Sequence, residues 1–515
     1  MALNNQGTNP KGSKGGATRR SFIGSLMASS VAAAMPNSGQ ARLQSRSTGY
    51  DFRGIREEIL AAVGSHEATG IAVAVAHKGR VVWEEGFGLA NREQGTKVSE
   101  RTPFCLASLT KPFTTTAIMT LVEAGKISLE DSANKYLGHE SGLKGNAEGA
   151  SVRLLGAHAA GLPTLFEMFP RTGEAQPSIS KALLENYGEL AYLPNEMYEY
   201  SNIGYAVLGM IASSVTGSEF GEVMARQVLK PLGLNDSFFD TDKARFASGA
   251  VLYDDSGNPI AEYSTVTPPS GALYASAHDV ARFGLFNLKN RLGNQAPILS
   301  DHLIDELHKP VFQGPAGAAT TFGWFSRQTK SGLPVLFKDG AQPGVGCIMY
   351  LVPQENLACV ALSNRSNNGD LLRKWVDQMA GTIIKNWTTP DNPVGFPMTD
   401  FPGGLVYEGK WIGKLRGDGA EMAVALNVTQ TASATLSLGN NRPEAVTDLH
   451  LQGSAMVGQS VGGIDSADAI RNHATSLSLK LQKREDKLAG RILAIASGPG
   501  KINILPFIVQ LSRSA

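Results

Sequence analysis

Residues 70–76 read Gly-Ile-Ala-Val-Ala-Val-Ala, a run without a polar side chain. Seven residues suit one strand better than a helix, and a strand that is apolar on both faces has to be buried on both. A turn at His77-Lys78-Gly79-Arg80 and the run Val81-Val82-Trp83 make this a hairpin. A sheet containing it needs helical cover, which points to a layered mixture of helix and strand.

The rest of the first 388 residues supplies both. A short helical pattern over 50–63 precedes the hairpin, and a helical, loop-rich stretch runs from Ser108 to about residue 245. Within it, 204–215 and 219–229 have helical length and apolar spacing, the second stopped by Pro231. Strand patterns resume at 333–337 and 347–352, turn at Pro353-Gln354-Glu355-Asn356 and return through 357–363. Residues 370–387 then read as an amphipathic helix, with Leu371, Leu372, Trp375, Met379 and Ile383 on one side. The spacing predicts one sheet built from both ends of the region, interrupted by a helical insertion that begins at Ser108.

Residues 389–404 contain Pro390, Pro393, Pro397 and Pro402 with Gly395, Gly403 and Gly404, a linker composition. In 405–515 apolar residues alternate, as in Met422, Val424, Leu426, Val428 and in Leu477, Leu479, Leu481. That predicts a small all-β barrel or sandwich.

At the other end no acidic residue precedes Asp51, and Arg19-Arg20-Ser21-Phe22-Ile23 leads into a run of small and apolar residues over 22–34. The run is too short to span a bilayer and ends at Ala32-Ala33-Ala34, so residues 1–41 read as an export signal. The paired arginines resemble the twin-arginine signal, with Gly24 where that motif often has Lys. The expected destination is the bacterial periplasm or the exterior. An ordinary signal peptide or a basic tail fits the same composition.

Composition excludes several classes of function. The formal net charge is +1 and no basic run lies outside the N-terminus, so nothing argues for nucleic acid or an acidic partner. Cys105, Cys347 and Cys359 are an odd number without a CxxC spacing, which excludes a disulfide framework and a zinc knuckle and allows at most one disulfide. No cofactor or metal motif is present.

Ser108-Leu109-Thr110-Lys111 begins the helical insertion. At this spacing on a helix the amine can reach the hydroxyl. Pro112 is tolerated only in a first turn, which places Ser108 near the helix N-terminus, where its N–H can help to bind an oxyanion. For the amine to act as a base it must be neutral, and an ordinary Lys falls short of that at pH 7 by about 4.6 kcal/mol. A capping Ser before a surface Lys has the same pattern, and Ser178 and Lys181 repeat it. Tyr200-Ser201-Asn202 offers a phenol able to relay a proton if nearby cations lower its pKa, and an amide able to bind a carbonyl. It also reads as a plain helix cap. Lys338-Asp339-Gly340-Ala341 offers a second cation beside a Gly, but reads equally as a turn, and Lys330-Ser331-Gly332 competes with it.

Ser-x-x-Lys, Tyr-Ser-Asn and Lys-x-Gly, in this order, resemble the serine β-lactamase and penicillin-binding-protein superfamily, in its class C-like branch of esterases and D-aminopeptidases. His158-Ala159-Ala160-Gly161-Leu162-Pro163 is similar to that branch's His-x-x-Gly-Leu-Pro loop, and Ser270-Gly271-Ala272-Leu273-Tyr274 with Asp279 to its Gly-rich turn. The resemblance covers about residues 52–388 and selects Lys338 over Lys330. It implies an antiparallel sheet flanked by helices plus a helical subdomain. It also implies acyl transfer to water through Ser108, with Lys111 or Tyr200 as the base and Asn202 and Lys338 orienting substrate. The N–H groups of Ser108 and Ala341 would form the oxyanion hole, and His158 would be structural. The alternative is a penicillin-binding or other acyl-binding protein with weak or no turnover. Gly409-Lys410-Trp411-Ile412-Gly413 resembles the opening of the lipocalin-like barrel that some related hydrolases append.

One residue departs from the pattern: Asp339 stands where β-lactam-recognising members carry Thr or Ser. An ionised Asp would repel a substrate carboxylate by about 4 kcal/mol at 4 Å and an effective dielectric of about 20, unless Lys338 neutralises it. The expectation is therefore an esterase or peptidase taking small-molecule or peptide acyl substrates, rather than a β-lactamase.

Overall fold

The structure, a computed structural model, describes residues 49–138, 142–171, 181–314, 318–390, 398–401 and 406–514. The expected export signal, Ser178 and most of the linker lie outside the described residues.

Strand Gly70–His77 is buried at every position. It is third from one edge of a nine-stranded sheet, between Arg80–Asn91 and Leu357–Ser363, and Val345–Val352 and Pro334–Gln342 follow. All these pairings are antiparallel, so the two ends of the region meet in one sheet.

Alternation along the strand sends its side chains into two cores. Ile71, Val73 and Val75 pack with Ile55 and Ile59 of helix Arg53–Gly64 and with Leu372, Trp375 and Met379 of helix Gly369–Ile383. Ala72, Ala74 and Ala76 face the other core, where helix Ala277–Asn287 lies directly on the sheet. A Cβ on its Gly284 would come within 2.6 Å of the Met349 thioether methyl and 2.8 Å of the Ala358 Cβ, so the small residue permits that approach.

The insertion places helix Thr110–Glu123 at its centre, and that helix is buried almost all round. Helix Asn202–Thr216 packs against it. The sequence reading passes over two short strands here, Met168–Pro170 and Tyr263–Thr265, which pair with each other and are too short to show a period.

The C-terminal region forms a closed eight-stranded antiparallel barrel. Its strands are Gly409–Gly417, Ala420–Val428, Ala434–Leu438, Glu444–Gln452, Ala455–Val461, Ser476–Arg484, Lys487–Gly498 and Lys501–Arg513, the last pairing with the first. Trp411, Leu426, Leu477, Leu488 and Phe507 are buried in its core. Met398–Asp400, inside the stretch expected to be linker, adds a strand to the edge of Glu444–Gln452.

All three cysteines are free and buried. Cys347 belongs to one core and Cys359 to the other, so the sheet itself separates these two. Among the described residues no helix is long and apolar enough to cross a membrane, and no group of His, Cys, Asp and Glu could hold a metal ion.

Trp375 is 1% exposed and fills the space between helix Gly369–Ile383 and the sheet. Trp375→Ala should cost about 3–5 kcal/mol, read as a fall in the denaturant midpoint of this part of the chain.

Candidate active site

The chain enters the site through strand Phe104–Cys105 and a short 3-10 turn, Ala107–Leu109, which runs into helix Thr110–Glu123. Ala107 has φ +40°, a region that costs a side-chain-bearing residue about 1–3 kcal/mol and that clusters at functional sites. Pro112 sits in the first helical turn, where its missing N–H has no partner to lose. The turn is pressed against strand Pro334–Gln342 at Gly340. A Cβ there would lie 2.4 Å from the Leu106 carbonyl oxygen, 2.6 Å from the Cys347 Sγ and 2.9 Å from the Ser108 backbone nitrogen.

Ser108, Lys111 and Tyr200 converge. The Ser108 Oγ and Tyr200 hydroxyl are 2.6 Å apart. The Lys111 Nζ lies 3.1 Å from the Ser108 Oγ and donates to the Asn202 Oδ1 at 2.9 Å and to the Ser270 carbonyl at 2.9 Å. It makes no ion pair among the described residues, although it is fully buried. Ser201 caps helix Asn202–Thr216, its Oγ accepting from the Gly204 N–H at 2.9 Å. The cap and the site are therefore one arrangement: the same turn aims Tyr200 and Asn202 at Lys111.

His158 supports this turn from below. Its Nδ1 accepts from the Ser201 N–H at 3.1 Å and its ring stacks on Tyr200 at 4.4 Å. Burial, and then the Lys338 charge, hold it well below its ordinary pKa, so it is neutral. Lys338 places its ammonium 3.9 Å from the centre of the Phe325 ring and 5.0 Å from that of Tyr200.

Two expectations about charge are corrected. The Tyr200 phenol is not lowered by neighbouring cations: burial pushes its pKa up, only partly opposed by the bond to Ser108, and it stays protonated at neutral pH. Asp339 is not neutralised by contact with Lys338. Successive strand residues face opposite ways, and Asp339 meets Arg373 of helix Gly369–Ile383 at 3.7 Å, with its side chain about half exposed.

Lys111 behaves as its surroundings require. Burial, reinforced by the Lys338 charge and weakly opposed by that of Asp339, drives its pKa well below the ordinary value. The same burial brings Lys338 down to about 8, with Asp339 and Cys347 opposing. Around one hydroxyl the site thus gathers an amine whose charge burial disfavours, a second amine held near 8 and a phenol that keeps its proton.

Ser270 and Phe325 escaped the sequence reading in these roles. The Ser270-Gly271-Ala272 turn was visible, but the partner is a backbone carbonyl, which every residue has. Phe325 carries no motif at all.

The Beta-lactamase family profile matches residues 55–383, nearly two thirds of the chain. The chain belongs to the beta-lactamase family. Its members are serine acyl-transferring hydrolases, which agrees with a hydroxyl, an amine and a phenol gathered in one site. Protein flp from Staphylococcus aureus (strain MRSA252) is 25% identical over 328 residues, 62% of this chain and 63% of that protein. The chain therefore matches less than two thirds of that relative's length. A class C beta-lactamase structure is similar with a TM-score of 0.57 and 19% identity, covering 65% of this chain and 97% of the other. The crystal structure of SurE has a TM-score of 0.62 and 19% identity, covering 88% of this chain and 100% of that one. That second likeness is one of fold, and it extends beyond the sheet domain.

Gly340→Ala tests the packing of the Ser108 turn. The added methyl has to displace backbone or Cys347, so hydrolysis should fall by about tenfold or more while circular dichroism stays unchanged.

Proposed function

We propose that this chain is an exported serine hydrolase that passes an acyl group through Ser108 to water, acting on esters or amides whose acyl part is neutral or cationic. The observation that carries this reading is the Ser108 hydroxyl within hydrogen-bond reach of both Tyr200 and a buried Lys111.

In the first half-reaction the Ser108 Oγ bonds to the substrate carbonyl carbon while its proton passes to the neutral Lys111 amine. The two remaining N–H groups of that amine stay on Asn202 and Ser270. Negative charge on the former carbonyl oxygen is received by the backbone N–H groups of Ser108 and Ala341. The tetrahedral adduct collapses, the bond to the leaving oxygen or nitrogen breaks, and the Tyr200 hydroxyl gives the leaving group its proton and is reprotonated from Lys111. Water then attacks the acyl-enzyme by the reverse route and frees the acid. The lowered pKa of Lys111 and the raised pKa of Tyr200 support Lys111 as the acylation base, with Tyr200 as the relay.

Substrate charge follows from Asp339. Its carboxylate turns away from Lys338 to Arg373 at 3.7 Å, yet lies near enough to act electrostatically on Lys111, Lys338 and Tyr200, and so bears on substrate charge through its field rather than by contact.

The test uses wild type and Ser108→Ala with a p-nitrophenyl ester, a D-amino-acid amide and a penicillin, following turnover and covalent mass. Wild type should turn over the ester or the amide through a transient adduct, and Ser108→Ala should lose about 10³-fold or more. A stable adduct without turnover marks an acyl-binding protein, and activity surviving in Ser108→Ala refutes the mechanism. Asp339→Thr should raise acylation by the penicillin relative to the ester.

The rate should also be bell-shaped in pH. Protonating Lys111 removes the base, so activity falls as pH drops through its depressed pKa. Lys338 loses its charge as pH rises through about 8, which gives the alkaline limb. Lys338→Met should abolish that limb in a pH profile of kcat/KM.

A further inference from the structure

The chain from Tyr187 to Glu199, which runs directly into Tyr200, lies on the barrel. Arg416 pairs with Glu189 at 2.6 Å, the Tyr192 hydroxyl donates to the Lys480 carbonyl at 2.8 Å, and Arg484 pairs with Glu196. The contacts nearest Tyr200, at Glu199, are the most buried. Lys480 donates from Nζ to the Glu199 Oε2 at 2.7 Å and to the Tyr198 carbonyl at 3.0 Å, and Arg491 donates from Nε to the Glu199 Oε1 at 2.8 Å. The three side chains are 6%, 4% and 12% exposed for Glu199, Lys480 and Arg491.

A buried ion cluster is a poor way to gain stability, because desolvation offsets most of the attraction and apolar side chains of similar size often serve as well. What it does supply is fixed direction. Glu199 precedes Tyr200, and its backbone N–H donates to the His158 carbonyl at 2.9 Å while its carboxylate is held from the barrel. Tyr198, the other residue that Lys480 grips, contacts His158 edge-on at 6.0 Å, and His158 stacks on Tyr200. The segment before Tyr200 is therefore fixed from two sides, the His158 loop and the barrel.

We propose that Lys480 and Arg491 of the barrel are positioning residues for Tyr200: by holding Glu199 and the Tyr198 carbonyl they keep the phenol on Ser108, so the barrel completes the active site. This rests on the reading of Tyr200 as the proton relay. The 2.6 Å contact between Tyr200 and Ser108 leaves little tolerance, and a displacement of about 1 Å can cost about 10²-fold in rate. Substrate need not touch the clamp, so the effect belongs in kcat rather than KM.

The test is a double-mutant cycle in the full-length protein with a p-nitrophenyl ester, measuring kcat, KM and thermal midpoint for wild type, Lys480→Met, Tyr200→Phe and the double variant. Lys480→Met should lower kcat about 10- to 100-fold with KM within about twofold, and should cost nothing further once Tyr200 is Phe. If Lys480→Met does not fold, Glu199→Gln takes its place in the same cycle with the same expectation. An unchanged kcat in Tyr200→Phe alone overturns the reading of Tyr200, and the proposal with it. A large loss in Tyr200→Phe overturns the positioning role alone if the clamp variant keeps full kcat, or if it loses the same factor in both backgrounds.

Discussion

The site depends on an amine buried without a counter-charge. Lys111 lies on a helix that is enclosed almost all round, and its nitrogen finds a hydroxyl, an amide oxygen and a backbone carbonyl, each from a different part of the chain. A carboxylate in place of any of them would hold the ammonium and raise its pKa. With neutral acceptors only, burial decides, and the adjacent Lys338 charge pushes the same way. The phenol of Tyr200 is subject to the same rule with the opposite result: burial disfavours phenolate and keeps its proton. One physical cause, exclusion of water, thus pushes the amine towards its neutral form and the phenol towards its protonated one.

Bringing these groups together is a matter of close approach. Gly340 lets the nucleophile turn rest on the edge of the sheet, and Ala107 accepts an unfavourable backbone conformation to make that turn. The alternating alanines of Gly70–His77 let helix Ala277–Asn287 sit low on one face, while larger side chains fill the other. On the far side of the insertion the barrel strand Lys501–Arg513 bridges Phe166, and Asn503 accepts from the Met168 N–H at 2.8 Å. The loop held there also receives the Asn202 side-chain amide, at the Leu165 carbonyl. The barrel therefore reaches both segments that surround Lys111's partners.

The parts legible in the sequence were those fixed by local pattern. The apolar run at 70–76, the return strands at 347–352 and 357–363, and the order of the three motifs at Ser108, Tyr200 and Lys338 all depend on residues close together in the chain. Parity along a strand could also have placed Asp339 opposite Lys338, but its partner Arg373 arrives from a helix some thirty residues on. The sign of the Tyr200 shift was not legible, since it depends on how deeply tertiary packing buries the ring. Strand Glu444–Gln452 was missed because it is largely exposed and lacks alternation. Lys480 follows Leu479 and reads as an outward polar position; it is buried because the hydrolase segment covers that face of the barrel.

The most direct test of this account is the titration of the Lys111 amine itself. In full-length protein carrying 13C-labelled lysine, with the resonance assigned by its loss in Lys111→Met, the shift of the carbon next to the nitrogen reports the charge. The account predicts a pKa well below the ordinary lysine value, with the amine neutral at pH 7. A Lys111 that remains charged at pH 7 and titrates near 10.5, the ordinary value, would contradict it.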